Sequence, residues 1–189
     1  MSLGLYIQVP FCQTKCTYCN FHTGPFSRSL YDPYVLALCR EISILAPGQG
    51  TAAPADTLYI GGGTPSLLDP VALARILDAV RSSFPCSLEE VTLEADPETI
   101  TPDKAAAWLA AGINRISLGS QSFNDTELRA AGRLHRRDDI FAADHILRSA
   151  GFRNLSFDLI AGLPHQTADR KSTRLNSSHP SLSRMPSSA

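Results

Sequence analysis

The chain has 189 residues, 43% of them hydrophobic, and a formal net charge of −1. That length suits one domain with a proper core and is short for two. A charge near zero without a basic block gives no ground for a nucleic-acid partner, and no apolar run approaches the length that spans a bilayer. The chain enters "LGLYIQVPF" directly, too short and interrupted for a secretory core. Its five cysteines are an odd set, which with no export signal argues for a reducing, cytoplasmic setting and against a disulfide framework.

The first β-leaning run is Leu5–Val9. It leads into "VPFCQTKCTYCNF", where Cys12, Cys16 and Cys19 fall at spacings of four and three. Asp32-Pro33 reads as a helix opening, with Val35, Leu38, Cys39, Ile42 and Leu45 on one face. Thr57–Ile60 is a second strand, followed at once by "GGGTPS". Asp69-Pro70 opens the next helix, an N-cap oxygen followed by proline at the first helical position. Val91–Ala95 is a third strand ending in "TLEADP", and Thr101-Pro102 opens a helix that Gly112 should stop. Arg115–Leu118 runs into "SLGSQSF". Gly151 ends another helix before a fifth strand, Leu155–Ile160. Such alternation means a mainly parallel α/β sheet. An open doubly wound sheet and a barrel both fit the pattern.

The last twenty residues, "RKSTRLNSSHPSLSRMPSSA", hold seven serines, no acidic residue and no strand or helix period. We expect a domain over 1–169 and a disordered, foreign segment over 170–189 that looks like translated adapter read-through. The break falls where a sixth helix should begin, so the natural chain is expected to be longer.

Three uses compete for the clustered cysteines. A structural zinc ion normally takes four protein ligands, and here His22 is the best fourth, since Cys39 faces its helix's packing side and Cys86 is distant. A redox pair would more naturally be a lone C-x-x-C. An iron–sulfur cube held by three thiolates leaves one iron open to an outside ligand, and an open metal position marks chemistry rather than scaffolding.

C-x-x-x-C-x-x-C after a first strand resembles the signature of radical S-adenosylmethionine (SAM) enzymes. In that family the open iron of a [4Fe-4S] cluster binds SAM, which one electron then cleaves. "LYIQVPFCQTKCTYCNF" is similar to one branch, the oxygen-independent coproporphyrinogen III oxidases and the HemW-type heme chaperones, over Leu5 to about Thr167. The resemblance implies a partial (β/α) radical SAM barrel with about five of six strand–helix units present. It implies SAM contacts from Gly62, Gly63, Thr64, Glu94, Gln121, Arg133 and Asp158. Each has a plainer use: a glycine turn, a surface ion pair, an amide satisfying loop backbone, a solvated arginine. The fork of Arg133 suits a carboxylate, and Asp158 among apolar neighbours needs some partner. Independently of any family, the cysteine loop, the glycines, Glu94 and Gln121 all follow C-terminal strand ends, where parallel α/β proteins place their sites.

Tyr6 matches a family position near SAM, although strand alternation could bury it, and Tyr18 stands where the family has an aromatic beside the cluster. His22, His135, His145 and His165 show no ligand spacing and read as loop or helix-surface residues. Trp108 reads as packing. Two positions after Cys19, where the resembled oxidases carry a further cysteine, stands Phe21. The chain also opens at the first strand, without the extension those oxidases place before it. Both features point to the heme chaperone side, with heme as cargo, a heme acceptor protein and an electron donor for the cluster as partners. The alternatives are a coproporphyrinogen III oxidase and a zinc-stabilised binding module.

Overall fold

Five apolar, β-branched runs become the strands of one sheet in the computed structural model, which describes residues 3–46 and 53–167. In chain order the elements are β1 (Leu3–Val9), α1 (Tyr31–Ile44), β2 (Ala55–Gly62), α2 (Pro70–Ser83) and β3 (Cys86–Ala95). Then follow α3 (Pro102–Ala110), β4 (Arg115–Gln121), α4 (Asp125–Ala130), α5 (Arg137–Ala150) and β5 (Asn154–Leu159). Every pairing is parallel and each strand lies beside the next in sequence. A doubly wound sheet reverses its strand order at a switch point, whereas a (β/α) barrel walks in one direction. The observed 1-2-3-4-5 order is the barrel walk, so this is a partial α/β barrel. The expected segment from residue 170 lies outside the described residues.

Register explains why the two faces of the sheet differ. Ile7, Ile60, Leu93, Ile116 and Leu155 occupy one row across all five strands, and all five are buried. Together with Leu73, Ile76 and Leu77 of α2, Trp108 of α3 and Leu147 of α5 they form the apolar core. Side chains alternate along a strand, so the neighbouring rows, with Tyr59, Thr92, Arg115, Ser117 and Ser156, point to the other face. That face is polar. Arg115 donates to Thr92 Oγ1 at 3.0 Å and Ser156 Oγ at 3.3 Å, and Ser117 Oγ lies 3.0 Å from Ser156 Oγ.

The helix starts follow local chemistry. Asp69 Oδ1 accepts from Val71 N and Thr101 Oγ1 from Lys104 N, each with proline at the first helical position. Gly112 and Gly151 carry the left-handed φ (96° and 113°) that ends α3 and α5. The first helix departs from expectation. It begins at Tyr31, with Leu30 as its N-cap, after a short turn whose cap is the Ser27 hydroxyl. Asp32 and Pro33 therefore sit inside the first turn, where the missing N–H of proline removes no helical bond. Leu45 lies just past the helix end and is exposed, while Val35 and Ile42 hold the buried face. Among the described residues no helix is long and apolar enough to cross a membrane.

Candidate functional site

The cysteine loop is tied shut at its neck. Cys12 N donates to Gly24 O at 2.9 Å and Gly24 N to Pro10 O at 3.0 Å. The neck is anchored by Phe11, which is buried and stacks on Tyr31 with ring centroids 4.0 Å apart. Within the loop, Lys15 Nζ donates to Phe21 O (2.6 Å) and Thr23 O (3.0 Å), closing the turn that carries Cys16 and Cys19. Its far side docks on the end of α4, through Thr17 N to Ala131 O and Thr17 Oγ1 to Ala130 O, both 3.2 Å. Burial pushes the Cys12 thiol up, against hydrogen bonds with Thr23 and Thr64.

The glycines at the end of β2 do something more specific than leave backbone bare. Gly62 has φ +114°, a conformation that side chains strain against. A Cβ on Gly63 would lie 2.5 Å from Phe11 O and 2.9 Å from Cys12 Sγ. The amides here are spent within the protein: Gly63 N donates to Val9 O at 2.7 Å and Thr64 N to Phe11 O at 2.6 Å. Gly63 is thus the surface on which the Cys12 loop rests.

The next strand ends supply polar groups in order. Glu94 accepts from Tyr59 Oη at 2.8 Å and from Gly62 N at 2.9 Å. Burial still pushes its carboxyl up, helped by the charges of Asp158 and Asp96. Asp158 accepts from Ser117 Oγ at 2.9 Å, and burial raises it as well. Gln121 closes β4 with φ +59°, in the left-handed region although it is not glycine. Such a residue stores about 1–3 kcal/mol of strain and marks sites more often than scaffolds.

Arg133, three residues past α4, is largely enclosed, its side chain 7% exposed. Its Nη2 donates to Asp96 Oδ1 in a very short contact and to Gly119 O at 3.0 Å, while Nη1 reaches Cys16 Sγ at 3.6 Å. Burial works against the guanidinium charge, but Asp96, Tyr18 and Cys16 outweigh it and raise its pKa. Behind it lies His135, fully buried rather than on the loop surface that its spacing suggested. The reason is local: its Nε2 lies 3.2 Å from Ser120 O, which can only accept, and its Nδ1 lies 3.3 Å from Glu98 Oε2. The Glu98 carboxyl is held below its ordinary range: burial raises it, but the nearby His135 ring and the Arg133 charge outweigh this.

These groups enclose a cavity of about 380 Å³ at the C-terminal ends of the strands. Cys12, Cys16, Cys19, Tyr18, Gly62, Gly63, Thr64, Glu94, Gln121, Arg133 and Asp158 all line it. Tyr6 does not. Its ring is 61% exposed, stacked on Tyr59 at 5.9 Å, and so reaches the site only through the Tyr59–Glu94 bond. His22 is exposed and lies outside the lining. Among the described residues no three His, Cys, Asp or Glu side chains converge on a single ion's position. Reading by residue type passed over Asp96 and Ser117. The signal for Asp96 was in "TLEADP", a second carboxylate two residues after Glu94 and therefore on the same side of the chain. Ser117 carried no signal, because its role exists only across the β4–β5 pair.

Four carboxylates line the cavity against two basic side chains, Lys15 and Arg133. Such a cavity favours a cationic ligand beside the thiols. Thiol donors, a barrel-type sheet and a polar strand-end cavity together define a cofactor-binding α/β core. Residues 6–174 match the radical SAM superfamily, and the chain belongs to it.

The relatives narrow the branch. The chain is 37% identical over 186 residues to the heme chaperone HemW of Escherichia coli (strain K12), which covers 94% of this chain and 49% of that protein. It is 42% identical over 175 residues to the heme chaperone HemW of Synechocystis (89% and 42% covered). It is 39% identical over 168 residues to the oxygen-independent coproporphyrinogen III oxidase of Bradyrhizobium diazoefficiens (88% and 37% covered). The solved coproporphyrinogen III oxidase HemN of Escherichia coli, a radical SAM enzyme, superposes with a TM-score of 0.82 at 33% identity, over 92% of this chain and 40% of that one. This is the branch that joins HemW and HemN. The chain spans less than half the length of each of these relatives.

Proposed function

We propose that this chain is the cofactor-binding core of a HemW-type heme chaperone. Cys12, Cys16 and Cys19 would hold a [4Fe-4S] cluster. Gly62, Gly63, Thr64, Glu94, Gln121, Arg133 and Asp158, with Tyr18 at the rim, would hold SAM. Tyr6 would act only through Tyr59. The observation that carries the reading is the meeting of three thiols and four carboxylates in one strand-end cavity. When bound, the cluster supplies one electron for the reductive cleavage of SAM. The protein's part is positional: the carboxylates of Glu94 and Asp158, both pushed up by burial, are placed to accept from the ammonium or hydroxyl groups of a cation. Arg133 lines the same cavity, and its fork suits a ligand's carboxylate.

The chaperone side is favoured by Phe21, which lines the cavity at the place where the resembled oxidases carry a further cysteine. A phenyl ring has no proton or metal-binding capacity to offer. Heme would then be cargo passed to an acceptor protein, with a separate electron donor serving the cluster. The cluster needs reduced thiols, and all five cysteines are unpaired, in keeping with the cytoplasm. The oxidase reading rests on its own observation, the overlap with HemN at a TM-score of 0.82.

Anaerobic reconstitution with iron and sulfide tests the core of this. We expect about four irons per chain, a brown chromophore, and an EPR signal that changes on SAM addition. Heme titration should then give a stoichiometric Soret shift, and coproporphyrinogen III should remain unconverted. A colourless protein with one zinc would overturn the cluster reading. Decarboxylated porphyrin product would transfer the chain to the oxidases.

A further inference from the structure

The mouth of the site is built by loops from four different strands, and one carboxylate joins them. Asp96 follows β3. Its Oδ2 accepts from Thr64 Oγ1 of the glycine loop at 3.1 Å, and its Oδ1 accepts a hydrogen bond from Arg133 Nη2. Through the same nitrogen the guanidinium bonds Gly119 O of β4, and through its other terminal nitrogen it reaches Cys16 Sγ in the cysteine loop. The backbone of Asp96 is itself fixed, its N–H to Ser66 Oγ at 3.2 Å and its carbonyl accepting from Thr99 Oγ1 at 2.7 Å. Neither end can drift.

We propose that Asp96 is a positioning residue. It aims Arg133 so that an N–H of the guanidinium points at the sulfur of Cys16, with His135 and Glu98 closing the opposite side. This deepens the proposed function and rests on it, since Cys16 matters here as a cluster ligand.

The physical case has two parts. A guanidinium is a planar fork whose donors are fixed relative to one another. Anchoring Nη2 on Asp96 and Gly119 O therefore dictates where Nη1 lies. Second, hydrogen bonds to cluster sulfurs are among the determinants of reduction potential. A donor to a thiolate draws charge from it, stabilises the reduced cluster and raises the potential.

A double-mutant cycle separates positioning from plain charge. Removing a negative charge near the cluster raises the potential by itself. In an Arg133→Met background that is all Asp96→Ala can do. In the wild-type background alanine also takes away the acceptor that anchors the fork, and the lost N–H···S contact lowers the potential. The two effects of Asp96→Ala should therefore differ, with the wild-type background giving the lower value. The measurement is an EPR-monitored redox titration of anaerobically reconstituted protein without SAM, with iron content and thermal unfolding recorded for each variant. Equal shifts in both backgrounds overturn the proposal. Should Arg133→Met or Asp96→Ala fail to fold, Arg133→Lys decides alone. It keeps the charge and loses the fork, so its midpoint should fall below wild type, and an unchanged midpoint refutes us. Wild-type protein that takes up no iron overturns the cluster reading and this inference with it. An iron-loaded wild type with additive variants overturns this inference only.

Discussion

Replacing Gly63 with alanine should loosen the cysteine loop before any ligand is present. The new methyl carbon would sit 2.5 Å from Phe11 O, 3.0 Å from Phe11 C and 2.9 Å from Cys12 Sγ. Two of these three atoms are backbone and cannot rotate aside, so β2 and the loop must part. Overpacking of this kind costs about 1–3 kcal/mol. Parting also weakens the bonds from Gly63 N to Val9 O and Thr64 N to Phe11 O, each worth about 1 kcal/mol. A combined loss of about 3 kcal/mol lowers Tm by roughly 6–12 °C in a domain of this size. The control is Gly24→Ala, whose Cβ would meet only the Phe26 ring at an ordinary 3.8 Å, and which should stay within about 0.5 kcal/mol of wild type. Thermal unfolding of the ligand-free proteins and iron per chain after reconstitution are the readouts. Gly63→Ala with wild-type Tm and wild-type iron would refute the reasoning, because the loop could not then be resting on that glycine.

Alanine at Cys12, Cys16 or Cys19 should each abolish most iron and acid-labile sulfide. Cys39→Ala and Cys86→Ala should retain them, since Cys39 Sγ faces Arg75 O at 3.8 Å on α1 and Cys86 opens β3, at the opposite end of the strand from the cavity. Lys15→Ala removes the donor to Phe21 O and Thr23 O; at an exposed position we expect a loss of about 1 kcal/mol and faster iron release, measured by chelator competition. Asp158→Asn should raise the Tm of the ligand-free protein at neutral pH and flatten its pH dependence. The sign follows from linkage: burial raises the folded-state pKa of Asp158. Its favourable contribution is therefore complete below the unfolded value near 4 and is lost as pH rises through the raised folded value. A neutral amide has no such loss, and Ser117 Oγ can accept from it. A lower Tm for Asp158→Asn at pH 7 than at wild type would reverse this sign.

The fold was legible wherever a local signal decided the outcome. Asp69-Pro70 and Thr101-Pro102 cap their helices because the cap needs only an oxygen and a missing N–H, both written in two adjacent residues. The start of α1 was misread because two candidates compete within six residues, and Ser27 captures a backbone N–H before Asp32 can. Barrel against open sheet could not be read from the strand pattern; the resemblance carried by the cysteine motif implied the barrel, and the strand order agrees. That choice lies in which strand neighbours which, and the apolar rows of β1 to β5 would suit either order. The site shows the same division. The thiols and strand-end polar residues follow from position, but the burial of His135 does not, because it depends on Ser120 and Glu98 from two other segments.

Several features that oppose stability lie at one end of the sheet. The core face repeats one consistent message of buried Ile, Leu and Val on every strand. The strand-end cavity instead holds a left-handed Gln121, carboxyls at 94 and 158 raised by burial, and a guanidinium with a buried donor unpaired among the described residues. Local rules are broken where a ligand can repair them. A cationic ligand with its own carboxylate would do so term by term, its positive groups meeting Glu94 and Asp158 and its carboxylate meeting Arg133. The loop carrying the cysteines is not strained in this way. It is tied by Gly24, Lys15 and Thr17 before any metal arrives, so the thiols are held in place while the polar wall opposite them is left to be completed by what binds.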